Sequence, residues 1–233
     1  MTTNLRLGIA AASVLATVAC GAVAQQSHVN SSPASKPSAS APATLTTAVA
    51  GAAATDDCAA KVGDFQRPDS PKNGWGLFKV AEANFSLALP TDWQEAVRPA
   101  DSSFKFLAQR RGPAGPSQVS VSVGRRQGSV PTTAVIVSAE SADLASNPDV
   151  LSPVIKRTGT LPAGPVGELV ICRHVKMTDA SPALYVFDQW FLPKRVDDAT
   201  FDVYLIQFLT PLSEWRANDP VFEAIVQTFA FLG

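Results

Sequence analysis

Leu184-Tyr-Val-Phe-Asp-Gln-Trp-Phe-Leu192 and Phe201-Asp-Val-Tyr-Leu-Ile-Gln-Phe-Leu-Thr210 decide the fold, together with Val166-Gly-Glu-Leu-Val-Ile-Cys-Arg-His-Val-Lys-Met177 just before them. All three are rich in β-branched and aromatic residues. Turn formers separate them, Thr178-Asp-Ala-Ser181 and Pro193-Lys-Arg-Val-Asp-Asp198, so the stretch reads as three consecutive antiparallel strands. Alternate residues of a strand face opposite sides. The second strand then places Leu184, Val186, Trp190 and Leu192 against Tyr185, Phe187 and Phe191, and the third places Val203, Leu205 and Leu209 against Tyr204, Ile206 and Phe208. Both faces are apolar, so both need a cover, and the sheet is the middle layer of a sandwich.

Outward from this stretch, the preceding chain adds strands. Gly74–Val80 and Asn84–Leu89 read as a hairpin that stops at Pro90-Thr-Asp-Trp93, where proline removes a ladder donor. Ser103–Arg110 and Gln118–Gly124 are two more strands joined by a Gly-Pro-rich loop from Gly112 to Pro116. In the second, Val and Ser alternate strictly, as on a half-solvated strand. Thr132–Ser146 is expected to be a helix, although Ala134-Val-Ile-Val137 also reads as a strand, and Val154–Leu161 is a further short strand. The last element is a helix with Asp219 as N-cap, Pro220 at its first position, and Phe222, Ile225, Val226 and Phe229 at helical spacing.

The first 57 residues have a different composition. Arg6 precedes Leu7–Ala19, an apolar run of signal-peptide length and short of the ~20 residues that span a membrane. It ends in Thr17-Val-Ala-Cys20, where small residues before a cysteine resemble a bacterial lipobox; Ala22-Val-Ala24 offers ordinary secretory cleavage instead. Residues 1–20 are thus read as a signal peptide with Cys20 the lipidation site, and secretion after Ala24 is the alternative. Gly21–Asp57 is Ala, Ser, Thr and Pro with almost no large apolar residue, a disordered stalk of roughly 30 Å average span. Residues 58–233 form the folded domain. With Cys20 lipidated or removed, Cys58 and Cys172 remain, a disulfide candidate outside the cytoplasm. In the chain-entropy model, closing a loop of over about 100 residues contributes about 4.7 kcal/mol. The alternative is two buried thiols that never meet.

Phe85-Ser-Leu-Ala-Leu-Pro-Thr-Asp-Trp93, the long antiparallel meander and the closing Asp219-Pro-Val-Phe-Glu-Ala-Ile-Val-Gln-Thr-Phe229 together resemble the Mog1/PsbP-like fold, an α+β class α/β/α sandwich with a central antiparallel sheet. With the lipobox and stalk, the chain is similar to the LpqN/LpqT-type lipoproteins of actinobacterial envelopes. The resemblance covers about residues 74–233. It implies a binding, assembly or accessory module linked with envelope lipid and transport machinery, and brings no catalytic residue with it.

The formal net charge of −1 gives no bulk electrostatic reason to bind nucleic acid or an anionic membrane. Metalloprotease, redox, phosphate-loop, dinucleotide and nucleophile-elbow motifs are all missing. Ser102-Ser-Phe-Lys105 fits S-x-x-K without its partner motifs, and His174 is the single histidine of the folded part, so neither a metal site nor a cofactor is expected. The turn lengths above place Arg173 near Val186 and Val186 beside Gln207, with Asp188 one diagonal step from Arg173 and Trp190 next along. That cluster is either a satisfied buried pair or the polar floor of a pocket for a lipid or glycolipid headgroup. Arg110-Arg111 and Arg125-Arg126 form two separate basic spots at opposite ends of their hairpin. The expectation is a non-catalytic envelope protein, held to the outer face of the membrane through acylated Cys20, that binds an envelope lipid, glycolipid or protein partner. The alternatives are an adaptor without lipid cargo and a hydrolase built on Ser102, Lys105, His174 or Arg173 with Asp188.

Overall fold

Two apolar faces on neighbouring strands need two covers, and the computed structural model of the chain, which describes residues 74–100, 102–147, 150–175 and 183–232, has both. β1 (Gly76–Val80) and β2 (Phe85–Leu89) form the first hairpin, β3 (Gln94–Glu95) is a short edge, and β4 (Phe104–Gly112) with β5 (Gly115–Gln127) forms the second hairpin. After α1 (Thr133–Ala145) come β6 (Val150–Leu161), β7 (Gly164–Val175), β8 (Ala183–Arg195) and β9 (Thr200–Pro211), then α2 (Leu212–Gln227) and β10 (Ala230–Phe231). Seven strands make the central sheet in the order β3-β4-β5-β9-β8-β7-β6, every neighbour antiparallel. β1, β2 and β10 make a second, three-stranded sheet. The expected meander of β7, β8 and β9 is thus the middle of the molecule.

The split of side chains between faces follows the alternation in the sequence. Val186, Trp190, Leu192, Tyr204, Ile206 and Phe208 pack with Phe222, Ile225 and Val226 of α2 and with Phe85, Leu87 and Leu89 of the small sheet. Phe191, Val203, Leu169 and Ile171 pack on the other face with Ile136 and Val137 of α1. The α1 helix approaches so closely that a Cβ on Gly167 would strike Val137 and lie 3.2 Å from the carbonyl oxygen of Thr133. This packing selects helix over strand for Ala134–Val137, because Ile136 and Val137 reach the sheet while Ala134 and Val135 stay exposed.

The final helix starts earlier than Asp219. It begins at Leu212 and runs through Pro220, which has no N–H for the carbonyl of Arg216 four residues back. Burial outweighs that local loss: Trp215, Asn218, Phe222, Ile225 and Val226 recur every three or four residues and are all buried. Asn218 is polar but satisfied. Its Nδ2 donates to Thr210 Oγ1 at 2.7 Å and Ser117 Oγ at 3.2 Å, and its Oδ1 accepts from Arg110. A second difference lies at Pro193, read as a turn residue but found inside β8 opposite Val203. The last β7–β8 pair is Gly167 with Phe191, so beyond it β8 is bonded on the β9 side alone and a residue without N–H costs little. The actual turn is Val196–Ala199, where Asp197 accepts from Thr200 Oγ1 at 2.6 Å and from Ala199 N at 2.8 Å. The Thr200 hydroxyl first, and then the Ala199 amide, hold the Asp197 carboxyl below its usual range.

One charged group is buried under α1. Glu140 is 8% exposed, and among the described residues its Oε1 has no hydrogen-bond partner. Burial first, and the Asp143 carboxylate second, push its pKa up from 4.5 to about 7, with Arg126 opposing them. The folded chain therefore keeps a proton that the unfolded chain releases, and stability falls as pH rises between these two values. Glu140→Gln is expected to raise the melting temperature at pH 8 by roughly 2–4 °C and to leave it unchanged near pH 4. Thermal unfolding at the two pH values checks this, and an equal shift at both would show that burial does not hold the proton on this carboxyl in the fold.

Candidate functional site

The strand register separates the residues that turn lengths alone would have gathered. Arg173 pairs with Tyr185, Asp188 with Val170 and Phe208, and Gln207 with Gln189. Arg173 and Gln207 therefore lie on the α1 face, while Asp188 and Trp190 lie on the α2 face, fully buried. The expected Arg173–Asp188 cluster does not form, because the register differs by one residue between β7 and β8 and by three between β8 and β9, and each odd shift exchanges faces. Gln207 instead accepts from Gln189 Nε2 at 3.0 Å, and the Arg173 guanidinium lies 6.0 Å from the Phe187 ring centroid.

The arginine beside Trp190 is half-buried Arg157 of β6, 5.7 Å from that ring. It bridges Glu168 of β7 and Glu223 of α2, the two carboxylates accepting from its Nε and Nη2. Burial works against its charge, but Glu168 first and Glu223 second outweigh it and the guanidinium's pKa is raised. A signal for this brace was present in the sequence: Glu168 interrupts an apolar run and needs a cation. The cluster ties α2 to the sheet edge, with Glu168 fully buried and Arg157 and Glu223 half-buried.

Cys172 is fully buried on the α2 face and disulfide-bonded. Its expected partner Cys58, the lipidation site Cys20, the signal peptide and the stalk of residues 21–57 lie outside the described residues. Ser102 and Lys105 lie at the start of β4, and exposed His174 lies at the end of β7. Four strand spacings of about 4.8 Å separate β4 from β7, so they are not brought together. Among the described residues no group of three His, Cys, Asp or Glu side chains could hold a metal ion, and no helix is long and apolar enough to cross a membrane.

A solvent-accessible site does form at one end of the sandwich. Glu82, Ala83 and Asn84 of the β1–β2 turn, Lys105 of β4, Val123 and Arg125 of β5, Lys194–Val196, and Asp202 and Tyr204 of β9 line an open groove of about 590 Å³. Its walls are fixed from below. Tyr204, 2% exposed, donates its hydroxyl to Ala83 O at 3.1 Å. Asn84 holds the left-handed φ of 57° that ends the turn, with its amide 3.1 Å from Ala81 O. Burial, then the charge of Asp202, push the Tyr204 hydroxyl's pKa up, so it stays a donor at neutral pH.

The charges of the groove are unequal. Asp202 takes two hydrogen bonds from Arg125, Nε at 2.9 Å and Nη2 at 3.1 Å, and these raise the pKa of that arginine. Glu82 pairs with Arg98 at 3.1 Å, and Arg98 also donates to Lys105 O at 2.6 Å. Among the described residues Arg195 pairs only with Asp198, at 3.8 Å. Lys105 and Lys194 have no carboxylate partner among the described residues. Lys194 Nζ sits 4.2 Å from the Phe231 ring centroid, a cation–π contact. The groove therefore attracts anions. Arg125 was visible in the sequence only as half of a basic spot, while Lys105, Lys194 and Arg195 were read as part of a chance motif or a turn.

A seven-stranded antiparallel sheet with a helix on one face, and a helix plus a small sheet on the other, is a Mog1/PsbP-like α+β fold of the LpqN type. LpqN of Mycobacterium tuberculosis, described as involved in cell envelope biogenesis, superposes with a TM-score of 0.51 at 12% identity, over 72% of this chain and 90% of that one. PsbP of the cyanobacterium Synechocystis sp. PCC 6803 gives 0.41 at 10% identity, over 71% and 97% of the two chains. The Saccharomyces cerevisiae Ran-binding protein Mog1p gives 0.45 at 11% identity, over 68% and 95%. At these identities the likeness is one of fold. No family model and no curated protein matches the sequence.

The Arg157 cluster gives a direct test of which polar group is structural. Arg157→Ala removes the guanidinium that bridges Glu168 and Glu223 and is expected to cost about 3–5 kcal/mol in urea unfolding. A loss below about 1 kcal/mol, the range of exposed pairs, would mean that the brace is solvated in solution.

Proposed function

We propose that this chain is an exported, lipid-anchored cell-envelope protein whose folded domain binds rather than catalyses. Its groove receives the headgroup of an envelope lipid or glycolipid. The lipobox-like Thr17-Val-Ala-Cys20 and the Ala/Ser/Thr/Pro stalk support export and anchoring through Cys20. The LpqN fold, seen in a protein of cell envelope biogenesis, supports the setting.

The observation that carries the headgroup reading is the contrast between core and rim. Between α2 and the central sheet, Phe222 stacks on Phe208 at 4.4 Å, and Trp93 and Trp215 close round it at 6.2 Å each. Side chains occupy the place where an acyl chain would lie, whereas the groove at the rim is open and cationic. Such a domain holds the polar end of a lipid and leaves its tails in a membrane. A protein partner of the transport machinery is the second reading, favoured by the same openness, since an adaptor needs an accessible surface rather than a cavity.

Native mass spectrometry of the full chain, purified in mild detergent from its host, is expected to show one bound lipid at defined stoichiometry. A lipid-free chain that cross-links to an envelope protein would replace the headgroup reading with the adaptor. Anchoring is tested separately. Cys20→Ala is expected to move the protein out of the membrane fraction, or leave it unprocessed, without altering thermal unfolding. A mature chain starting at Gln25 without lipid mass would sink the anchor.

A further inference from the structure

We infer that the groove is a phosphate receptor, in which Lys105, Lys194 and the outer edge of Arg125 converge on the phosphate of a headgroup. The inference rests on the headgroup reading and narrows it to phosphate-bearing ligands.

The register builds the site. Arg125, Asp202 and Lys194 stand side by side across β5, β9 and β8, Arg125 opposite Asp202 and Asp202 opposite Lys194. The row holds two cations and one carboxylate, and Arg125 takes that carboxylate: both oxygens of Asp202 face its Nε and Nη2, and the ammonium of Lys194 rests on the Phe231 ring. Asp202 thereby fixes the plane of a guanidinium whose Nη1 edge remains unused by it. That side chain is 65% exposed, so the free edge is open to ligand. Lys105 adds a second unneutralised ammonium from the start of β4, where Arg98 holds its carbonyl. Tyr204 lines the groove, and its ring meets Phe231, which carries Lys194, edge to face at 4.9 Å.

Three donor groups from three strands suit a ligand with several acceptor oxygens and more than one negative charge. A carboxylate offers two oxygens and one charge. A phosphate monoester offers three oxygens and up to two charges, matching a guanidinium edge plus two ammonium groups. At about 590 Å³ the groove also has room for the rest of a headgroup. Phosphate on a lipid and phosphate on a soluble metabolite present the same chemistry here, and the test separates them.

The test uses the full chain with Cys20→Ala, so that no acyl group of its own brings it to a bilayer. Calorimetric titration with glycerol 3-phosphate is expected to show binding that weakens with salt. Lys105→Gln and Lys194→Gln should each reduce it roughly fivefold, following the contribution of about 1 kcal/mol per cation near anionic headgroups. Circular dichroism melting of both variants confirms that these exposed replacements leave the fold intact. Binding of glycerol 3-phosphate unchanged in both variants, or matched by acetate, would overturn the receptor. In a second arm the protein is floated with phosphatidylcholine vesicles containing phosphatidic acid, and with vesicles carrying oleate at equal surface charge. Preference for phosphatidic acid, lost in the two lysine variants, supports a lipid source. Binding to glycerol 3-phosphate with no such preference leaves the receptor standing with a soluble ligand, and it is then the headgroup reading that fails. Conversely, lipid retained equally by the native chain and by the Lys105→Gln, Lys194→Gln double variant keeps the headgroup reading and ends the phosphate receptor.

Discussion

Phe222 lying flat on Phe208, ring centroids 4.4 Å apart and planes 15° from parallel, is the joint on which the sandwich depends. Both rings are fully buried. They join α2 to the strand at the middle of the central sheet, with β5 on one side of it and β8 on the other. Trp93 and Trp215 meet Phe222 from either side. Once α2 is seated there, its end delivers Phe229 to Phe85 at 5.3 Å and β10 to the free edge of β2. The small sheet is thereby docked, and with it the turn that rims the groove. Polar ties along α2 fix the seating: Asn218 to Ser117 and Thr210, Glu223 to Arg157. The rim of the groove is therefore a consequence of the core, because the elements that line it are held by buried aromatics and buried hydrogen bonds.

The architecture was legible because burial on both faces leaves a strong mark on a strand. The division of β8 into Val186, Trp190 and Leu192 against Tyr185, Phe187 and Phe191 holds residue for residue, and so does that of β9. The first hairpin and the Phe222–Val226 stripe were equally readable, whereas the sequence left Ala134–Val137 of α1 open between helix and strand. The start of α2 was not. Leu212, Trp215 and Asn218 continue the stripe, but Asp219-Pro220 imitates a helix beginning so well that local rules stop there. Propensity near a chain end gives way to the burial of Trp215.

The site was much less legible, for two reasons. Register cannot be read from alternation when both faces are apolar, since a slip of one residue exchanges the faces of every side chain and still leaves apolar residues on both. Arg173, Asp188 and Gln207 were displaced in this way, and the carboxylate that does need a cation, Glu168, finds it on β6 rather than on its own strand. Beyond register, the groove is assembled from five separated places in the chain, the residues near 83, 105, 124, 195 and 203. None of these carries a motif. Lys194 belonged to an apparent turn and Lys105 to an apparent S-x-x-K, and only the sheet order, which sets β5 beside β9 and β9 beside β8, makes them neighbours.

The central claim is that the interior is filled by the chain's own aromatic side chains and that ligand is met at the rim. Paramagnetic broadening of backbone amides distinguishes rim from interior, using two lipids that carry the nitroxide either at the headgroup or at the end of an acyl chain. The headgroup label is expected to broaden Ala83, Asn84, Lys105 and Val196, with Phe222, Ile225 and Val226 untouched by either label. Broadening of Phe222, Ile225 and Val226 by the acyl-chain label would place a tail between α2 and the sheet and contradict the account.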